Sequence, residues 1–91
     1  MIDIDYDALE DEVLSGSLRQ RLEAELIRGF ELIHASGERL PTASHYASQI
    51  AEIVNRGAAA PLRQELAFEL YQEILEAVEH ARATVLGEEP Q

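Results

Sequence analysis

The stretch PLRQELAFELYQEILEAVEHARATVL, from Pro61 to Leu86, decides the fold because it is the longest uninterrupted helix-compatible segment of the chain. Pro61 suits the first turn of a helix, where its missing N–H would have no partner in any case. At about 100° per residue, the apolar side chains form two seams that share a border and cover roughly half of the circumference or more. One neighbouring helix cannot bury so wide a surface. The first seam contains Leu62, Leu66, Leu70, Ile74, Ala77 and Ala81, and the second contains Phe68, Tyr71, Leu75, Val78, Val85 and Leu86.

The remaining arc of this predicted helix is acidic. Like charges three or four residues apart lie next to each other on a helix, and each close pair costs a few tenths of a kcal/mol. The spacing therefore predicts an uncompensated negative stripe, which is open to interpretation as a solvated surface or as a surface that binds a partner. The stripe consists of Glu65, Glu69, Glu73, Glu76 and Glu79.

The composition predicts one small domain, residues 1–91, with an unusual charge. Hydrophobic residues make up 46% and charged residues 27%, which is ordinary for a globular chain. Eighteen acidic residues oppose seven arginines, so the formal net charge is −11, and the chain contains neither lysine nor cysteine. This charge disfavours nucleic acid and anionic membranes and favours basic proteins or cations as partners. The missing residue types exclude disulfides, thiol nucleophiles, Schiff-base chemistry and the lysine-containing phosphate-binding loop.

The two ends of the chain are predicted to lie outside the main helices. Residues 1–6 should form an extended arm, because apolar and acidic residues alternate there, and residues 87–91 should form a flexible tail. Asp7 and Glu10 have the spacing of a capping pair for a short helix that ends at Ser15 and Gly16. The start has no basic segment followed by a long apolar run, and no later segment is long enough to span a membrane, so we expect a cytoplasmic protein.

Two substantial helices are predicted between these regions. Ser17 and Gln20 form a second capping pair, for a helix from residue 18 to 35 or 36 in which Gly29 could allow another backbone to approach closely. Thr42 is the predicted N-cap of a third helix, which should reach residue 55 or 56 and end at Gly57. The apolar face of the earlier helix contains Leu18, Leu22, Leu26, Phe30 and Ile33.

These elements predict an all-α fold, a small antiparallel bundle of three main helices and one short N-terminal helix. The connections are only a few residues long, which is typical of antiparallel neighbours. The second seam of the last helix could be covered by the N-terminal arm or by a second copy of the chain. We favour the second copy, and therefore expect a homodimer.

The most specific candidate for chemistry is the pair Glu31 and His34, an ExxH spacing on the second predicted helix. Carboxylate-bridged di-iron proteins use this spacing on paired helices. Because the chain has one such pair, a metal-binding helical assembly would need a homodimer, with Glu76 and His80 as further candidate ligands. Glu76 and His80 are more simply interpreted as an ion pair four residues apart. On the helical wheel His34 lies at the border of the apolar face and Glu31 lies beyond it, which favours a surface histidine over a buried site.

Catalysis has little support in the sequence, and we predict neither an enzyme nor a cofactor. No nucleophile elbow is present. A metal-dependent hydrolase or oxidase would need carboxylates converging from two helices, whereas the acids of the second helix alternate with arginines on its outer side. In size, charge and helix content the chain is similar to small immunity proteins, antitoxins, inhibitors and assembly factors, although no motif supports that likeness. We therefore predict a regulatory module that binds a basic protein surface through Glu65, Glu69, Glu73 and Glu76, with Phe68, Tyr71 and Leu75 as an apolar anchor.

Overall fold

The computed structural model describes residues 4–58 and 60–87, and this part of the chain contains four α-helices and no strand. The helices are α1 (Leu9–Ser15), α2 (Ser17–Ala35), α3 (Ala43–Gly57) and α4 (Gln64–Leu86). All of the other helices pack against α4, and its most extensive contact is with α2. The prediction of an all-α bundle with three main helices and one short helix is confirmed.

The directions of the helices differ from a purely antiparallel bundle. Arg19 of α2 contacts Glu76 of α4, and Glu23 contacts His80, so the two helices meet in the same residue order and run parallel. Phe30 near the end of α2 stacks on Tyr46 near the start of α3, so these two helices are antiparallel across their connector. The first and third main helices, α2 and α4, therefore share a direction. Their interface is the largest in the molecule, and it is a parallel one.

The junction between α1 and α2 is a single glycine. Gly16 has φ 80° and ψ 2°, a left-handed conformation that glycine adopts without a Cβ clash, and its N–H donates to the carbonyl of Val13. The predicted caps at Asp7 and Ser17 are wrong. Ala8 precedes α1 and Gly16 precedes α2, and neither start has a side-chain cap hydrogen bond. The direct glycine turn brings Ser17 into the helix itself, so Ser17 cannot act as its cap.

The acidic side chain that orders the segment before α1 is Asp5. Its Oδ1 accepts a hydrogen bond from the N–H of Asp7 at 3.1 Å, which is a local turn of the kind that Asp favours. This turn occupies the residues that would otherwise cap the helix. Of the predicted arm, residues 4–6 are described, and Ile4 packs against the core. Met1 to Asp3 lie outside the described residues.

The start of α3 agrees with its predicted cap. Thr42 has an extended backbone, and its hydroxyl accepts a hydrogen bond from the N–H of His45 at 3.4 Å. The helix continues to Gly57, one residue beyond the predicted limit, and Gly57 is its last residue rather than a stop outside it. The N-cap predicted at Thr42 is therefore confirmed, because the extended backbone of Thr42 lets its hydroxyl reach the first turn of the helix.

The prediction that the last helix starts at Pro61 is wrong, because α4 starts at Gln64. The segment 61–63 is not helical, and Arg63 has φ −58° and ψ 145°. Leu62 is half-buried against the core, and the Arg63 guanidinium lies 2.8 Å from the carboxylate of Glu10 on α1. Extended backbone here allows Leu62 to reach the core while Arg63 pairs with α1. At the other end Gly87 terminates α4 with φ 75°, and the predicted tail from residue 88 onward lies outside the described residues.

One apolar face of each helix contributes to the core. The predicted faces of α2 and of the first seam of α4 are confirmed, and Leu40 from the connector completes the cluster. None of the helices in the described ranges is long and apolar enough to cross a lipid bilayer. The helices contribute to this cluster Leu9 and Val13 of α1, Leu18, Leu22, Leu26 and Phe30 of α2, Ala47 and Val54 of α3, and Leu70, Ile74, Ala77, Val78 and Ala81 of α4.

Most of the second seam of α4 is covered by the chain itself. Val78 is fully buried, and Tyr71 and Leu75 are half-buried against the core, as are the two apolar residues at the end of the helix. Phe68 is the one residue of the second seam that is largely exposed, at 62%. The wide apolar surface was predicted correctly, but α3 and the other elements of the same chain bury it without a second copy.

The close approach at a glycine occurs at Gly57 rather than at Gly29. No heavy atom beyond the chain neighbours and its own helix lies within 4 Å of the position that a Cβ of Gly29 would take. At Gly57 a Cβ would overlap the hydroxyl of Tyr6, which donates a hydrogen bond of 2.8 Å to the carbonyl of Val54. The segment before α1 is therefore tied to the end of α3.

Candidate functional site

The seven predicted partner-binding residues all belong to α4, but the structure does not bring them into one continuous surface. Glu65, Phe68, Glu69 and Glu76 are exposed, whereas Tyr71, Glu73 and Leu75 are half-buried. The division follows the neighbouring helices, because α2 packs along one side of α4 and α3 packs along the other. The two parts have different electrostatic surroundings.

The Glu73 and Glu76 part of the acidic edge faces α2 and is partly neutralised. Arg19 Nη1 lies 3.0 Å from Glu76 Oε2, which forms a hydrogen-bonded ion pair between α2 and α4. The prediction of an uncompensated stripe is therefore wrong for this part. Helical spacing on α4 could not reveal the pair, because its cation comes from a helix nearly sixty residues earlier.

Glu73 is the acid most affected by this environment. Desolvation by burial raises the pKa of Glu73 above its ordinary value of 4.5. The Arg19 guanidinium lowers this pKa, and Glu76 raises it through its negative charge and a side-chain hydrogen bond between the two carboxyl groups. The net effect of these surroundings is a raised pKa at Glu73.

The other part of the acidic edge has no such neutralisation. Glu65 and Glu69 are exposed, and the ion pairs found across residues 4–58 and 60–87 do not include either of them. Glu65 lies one helical turn before both Phe68 and Glu69, at three and four positions, so its side chain neighbours both on the helix surface. Together with Gln64 they line a shallow concavity of about 340 Å³. We call Gln64, Glu65, Phe68 and Glu69 the Phe68 patch.

Tyr71 and Leu75 lie beside the Phe68 patch rather than within it. Tyr71 lines a shallow groove with Ser48 and Asn55 of α3, in which Glu52 is already paired with Arg56 one turn away. Leu75 packs against the core. These two residues support the helix from which the patch projects, and they offer little free apolar surface of their own.

The predicted pairing of Glu76 with His80 is wrong. His80 Nδ1 is in direct contact with a carboxylate oxygen of Glu23, while Glu76 pairs with Arg19. Both pairs cross the interface between α2 and α4. Arg19 and Glu23 are four residues apart on α2, and Glu76 and His80 are four residues apart on α4. This matching spacing could have identified both pairs if the two helices had been assumed to run parallel.

The candidate metal ligands do not converge within one chain. Glu31 and His34 are both exposed on α2, and Glu76 and His80 contact Arg19 and Glu23. No group of three or more His, Asp or Glu in the described part of the chain is arranged to hold a metal ion. A metal site assembled from two copies stays a prediction, which uptake of ferrous iron or zinc measured by native mass spectrometry would test.

Comparisons of the chain with protein-family models, with curated proteins and with solved structures found no match. A four-helix arrangement by itself hosts many unrelated functions. Function must therefore be inferred from the exposed chemistry of the surface, and the Phe68 patch combines the exposed ring of Phe68 with two carboxylates outside the described ion pairs.

Proposed function

We propose that this chain is a small protein-binding or regulatory module, of the inhibitor, immunity-protein, antitoxin or assembly-factor kind, whose α4 engages a basic surface of another protein. The observation that supports this proposal is the exposure of Phe68, at 62%, in a concavity that exposed Glu65 and Glu69 also line. Buried aromatic anchors surrounded by polar contacts dominate the binding energy of many interfaces. The Phe68 patch has both components on one side of a single helix.

The charges give the patch its preference among partners. Glu65 and Glu69 can pair with Arg or Lys of a partner, and Glu76 and Glu73 extend the negative field along the same helix although Arg19 reduces it. The net charge of −11 increases the rate of encounter with a basic protein and repels nucleic acid. Tyr71 and Leu75 keep α4 fixed against the core beneath the patch.

A basic partner fits this surface better than a second copy of the chain. A homodimer through Phe68 would bring Glu65 and Glu69 of two copies together, and like charges across an interface oppose association. The predicted homodimer remains testable from the mass of the untagged protein in solution. The proposal places the protein in the cytoplasm and assigns no catalytic residue and no cofactor.

Affinity capture from the native lysate, followed by mass spectrometry, tests the proposal with two variants of the Phe68 patch. Glu65→Arg/Glu69→Arg reverses its charges, and Phe68→Ser removes its anchor. We expect both variants to lose the same partner, a protein with a basic surface, while circular dichroism stays unchanged because all three side chains are exposed.

Glu79→Arg is the matched control, because it reverses one exposed charge on the same helix away from the Phe68 patch. Capture by this control should resemble capture by the wild-type chain. Equal recovery of every bound protein by the wild-type chain and by both patch variants would refute the proposal.

A further inference from the structure

The two helices that flank α4 leave a groove between them. Both α2 and α3 pack against α4, yet no Cα atom of α2 lies within 8 Å of a Cα atom of α3 in these two fully described helices. Phe30 and Tyr46 close one end of the gap with their rings perpendicular and their centroids 5.2 Å apart. Ile4 and Tyr6 border the other end, and the groove has a volume of about 570 Å³.

The walls of the groove are two apolar rows at helical spacing. Leu18, Leu22 and Leu26 form the row on α2, and Tyr46, Ile50 and Ile53 form the row on α3. Ile53 is 45% exposed, so the row on α3 presents apolar surface to solvent. The lining stretch of α2 spans nine residues, which corresponds to about 12 Å along the helix axis.

The charges at the groove are negative. Among the described residues that line it, Glu25 alone carries a charge, and its side chain is 53% exposed. Arg28 on the same helix lies 4.0 Å from the carboxylate of Glu25. Asp5 and Asp7 are exposed at the end where Ile4 and Tyr6 lie. An occupant of this groove would therefore meet an apolar floor with carboxylates at its margin.

We propose that the groove binds an amphipathic helix of a partner protein, two to three turns long, with an apolar stripe flanked by Lys or Arg. The gap between α2 and α3 leaves room for a further helix opposite α4. The buried leucines of α2 form its floor, and Ile50 and Ile53 of α3 provide the more exposed apolar surface against which that helix can pack. A second copy of this chain fits poorly, because each copy carries a net charge of −11. None of the lining residues belongs to α4, so this groove and the Phe68 patch are separate surfaces and either proposal can fail alone.

Binding of designed peptides to the full chain tests this proposal. The probe is an amphipathic Leu/Lys helix of about 14 residues, compared with a scrambled peptide of the same composition and with a Leu/Glu helix of the same pattern. Isothermal titration calorimetry should show that the Leu/Lys helix binds about tenfold or more tightly than its scrambled form, and the Leu/Glu helix should not bind. Amide shifts in nuclear magnetic resonance spectra should map to residues 22–26 and 46–53.

Two groove variants and one control separate the groove from general attraction to an acidic protein. Ile53→Ser should weaken the Leu/Lys helix about tenfold, and Glu25→Gln should weaken it less. Leu32→Ser should leave its affinity unchanged, because Leu32 is 75% exposed on α2 and does not line the groove. Equal binding of the scrambled peptide, shifts confined to α4, or affinity unaffected by both groove variants would overturn the proposal. A wild-type chain that is dimeric through the groove and does not bind the peptide would overturn it as well.

Discussion

Gly29 and Gly57 show how differently two helical glycines can be constrained. Gly29 lies inside α2 with open space around it, so Gly29→Ala should raise the free energy of unfolding by about 1 kcal/mol through helix propensity. Gly57 lies against Tyr6, so Gly57→Ala should displace the Tyr6 hydroxyl and lose its hydrogen bond to Val54, which contributes about 1 kcal/mol. Because Gly57 is the last residue of α3, the propensity gain of alanine is smaller than this loss, and the free energy of unfolding should fall. Urea denaturation followed by circular dichroism measures both changes.

The Tyr6→Ala background provides the control for Gly57. Once the phenol ring is absent, only the helix propensity of the new alanine remains, and Gly57→Ala should become stabilising in that background. The change of sign measures the coupling between the segment before α1 and the end of α3. The same effect of Gly57→Ala in both backgrounds would show that Tyr6 does not set the constraint.

Glu73 should make stability depend on pH in an unusual direction. Its pKa is raised in the folded protein, so between pH 4.5 and the raised value the folded state holds more protons than the unfolded state. The free energy of unfolding contributed by this group therefore falls as pH rises through that window. Glu73→Gln should consequently stabilise the protein at pH 7, and the gain should disappear at about pH 3, where the carboxyl is protonated in both states.

Urea denaturation of Glu73→Gln at both pH values checks this prediction. Glu79→Gln is the matched control, because it removes one exposed carboxylate from the same helix without contacting the Arg19 cluster. Any effect shared by both variants reflects the lower net charge. A gain of Glu73→Gln at pH 7 that does not exceed that of the control would contradict the role assigned to burial.

At the scale of the helices, local sequence patterns predicted which segments are helical better than they predicted the residues at which each helix begins and ends. The apolar periodicity identified all four helices, and Thr42 marked the start of α3. Pro61 did not mark the start of α4, because the tertiary contacts of Leu62 and Arg63 hold the connector extended. Propensity describes only the local preference of the chain, whereas contacts with α1 and the core determine the conformation of residues 61–63, which precede α4.

The cap of α3 gives a direct test at this scale. Thr42→Ala removes the hydroxyl that accepts from the N–H of His45, and it should lower the free energy of unfolding by about 1 kcal/mol. Thr42→Ser keeps the acceptor and should remain close to the wild-type stability. Urea denaturation curves of the two variants provide the comparison. Equal losses for alanine and serine would show that the methyl group of Thr42, rather than its hydroxyl, contributes the stability.

At the scale of the whole molecule, the candidate surface could be only partly predicted. The helical wheel placed Phe68 in an apolar seam beside the acidic arc that holds Glu69, but it could not show which neighbour covers Tyr71 or which cation reaches Glu76. Both answers depend on helix directions and on pairs far apart in sequence. The groove between α2 and α3 was not predicted for the same reason, since the separation of two helices is set by their common packing on α4.

The net charge of −11 leads to a prediction for the molecule as a whole. Each described ion pair neutralises one acid, but many exposed carboxylates remain and repel one another in the folded state. Because salt screens this repulsion, salt should favour folding. Sodium chloride should therefore raise Tm at pH 7, by about 4–8 °C for each kcal/mol of repulsion that is screened. Near the isoelectric point of about 4.5 the same salt should have little effect. Calorimetry at both pH values checks this, and a Tm that falls with salt at pH 7 would mean that the ion pairs between α2 and α4 outweigh the overall repulsion.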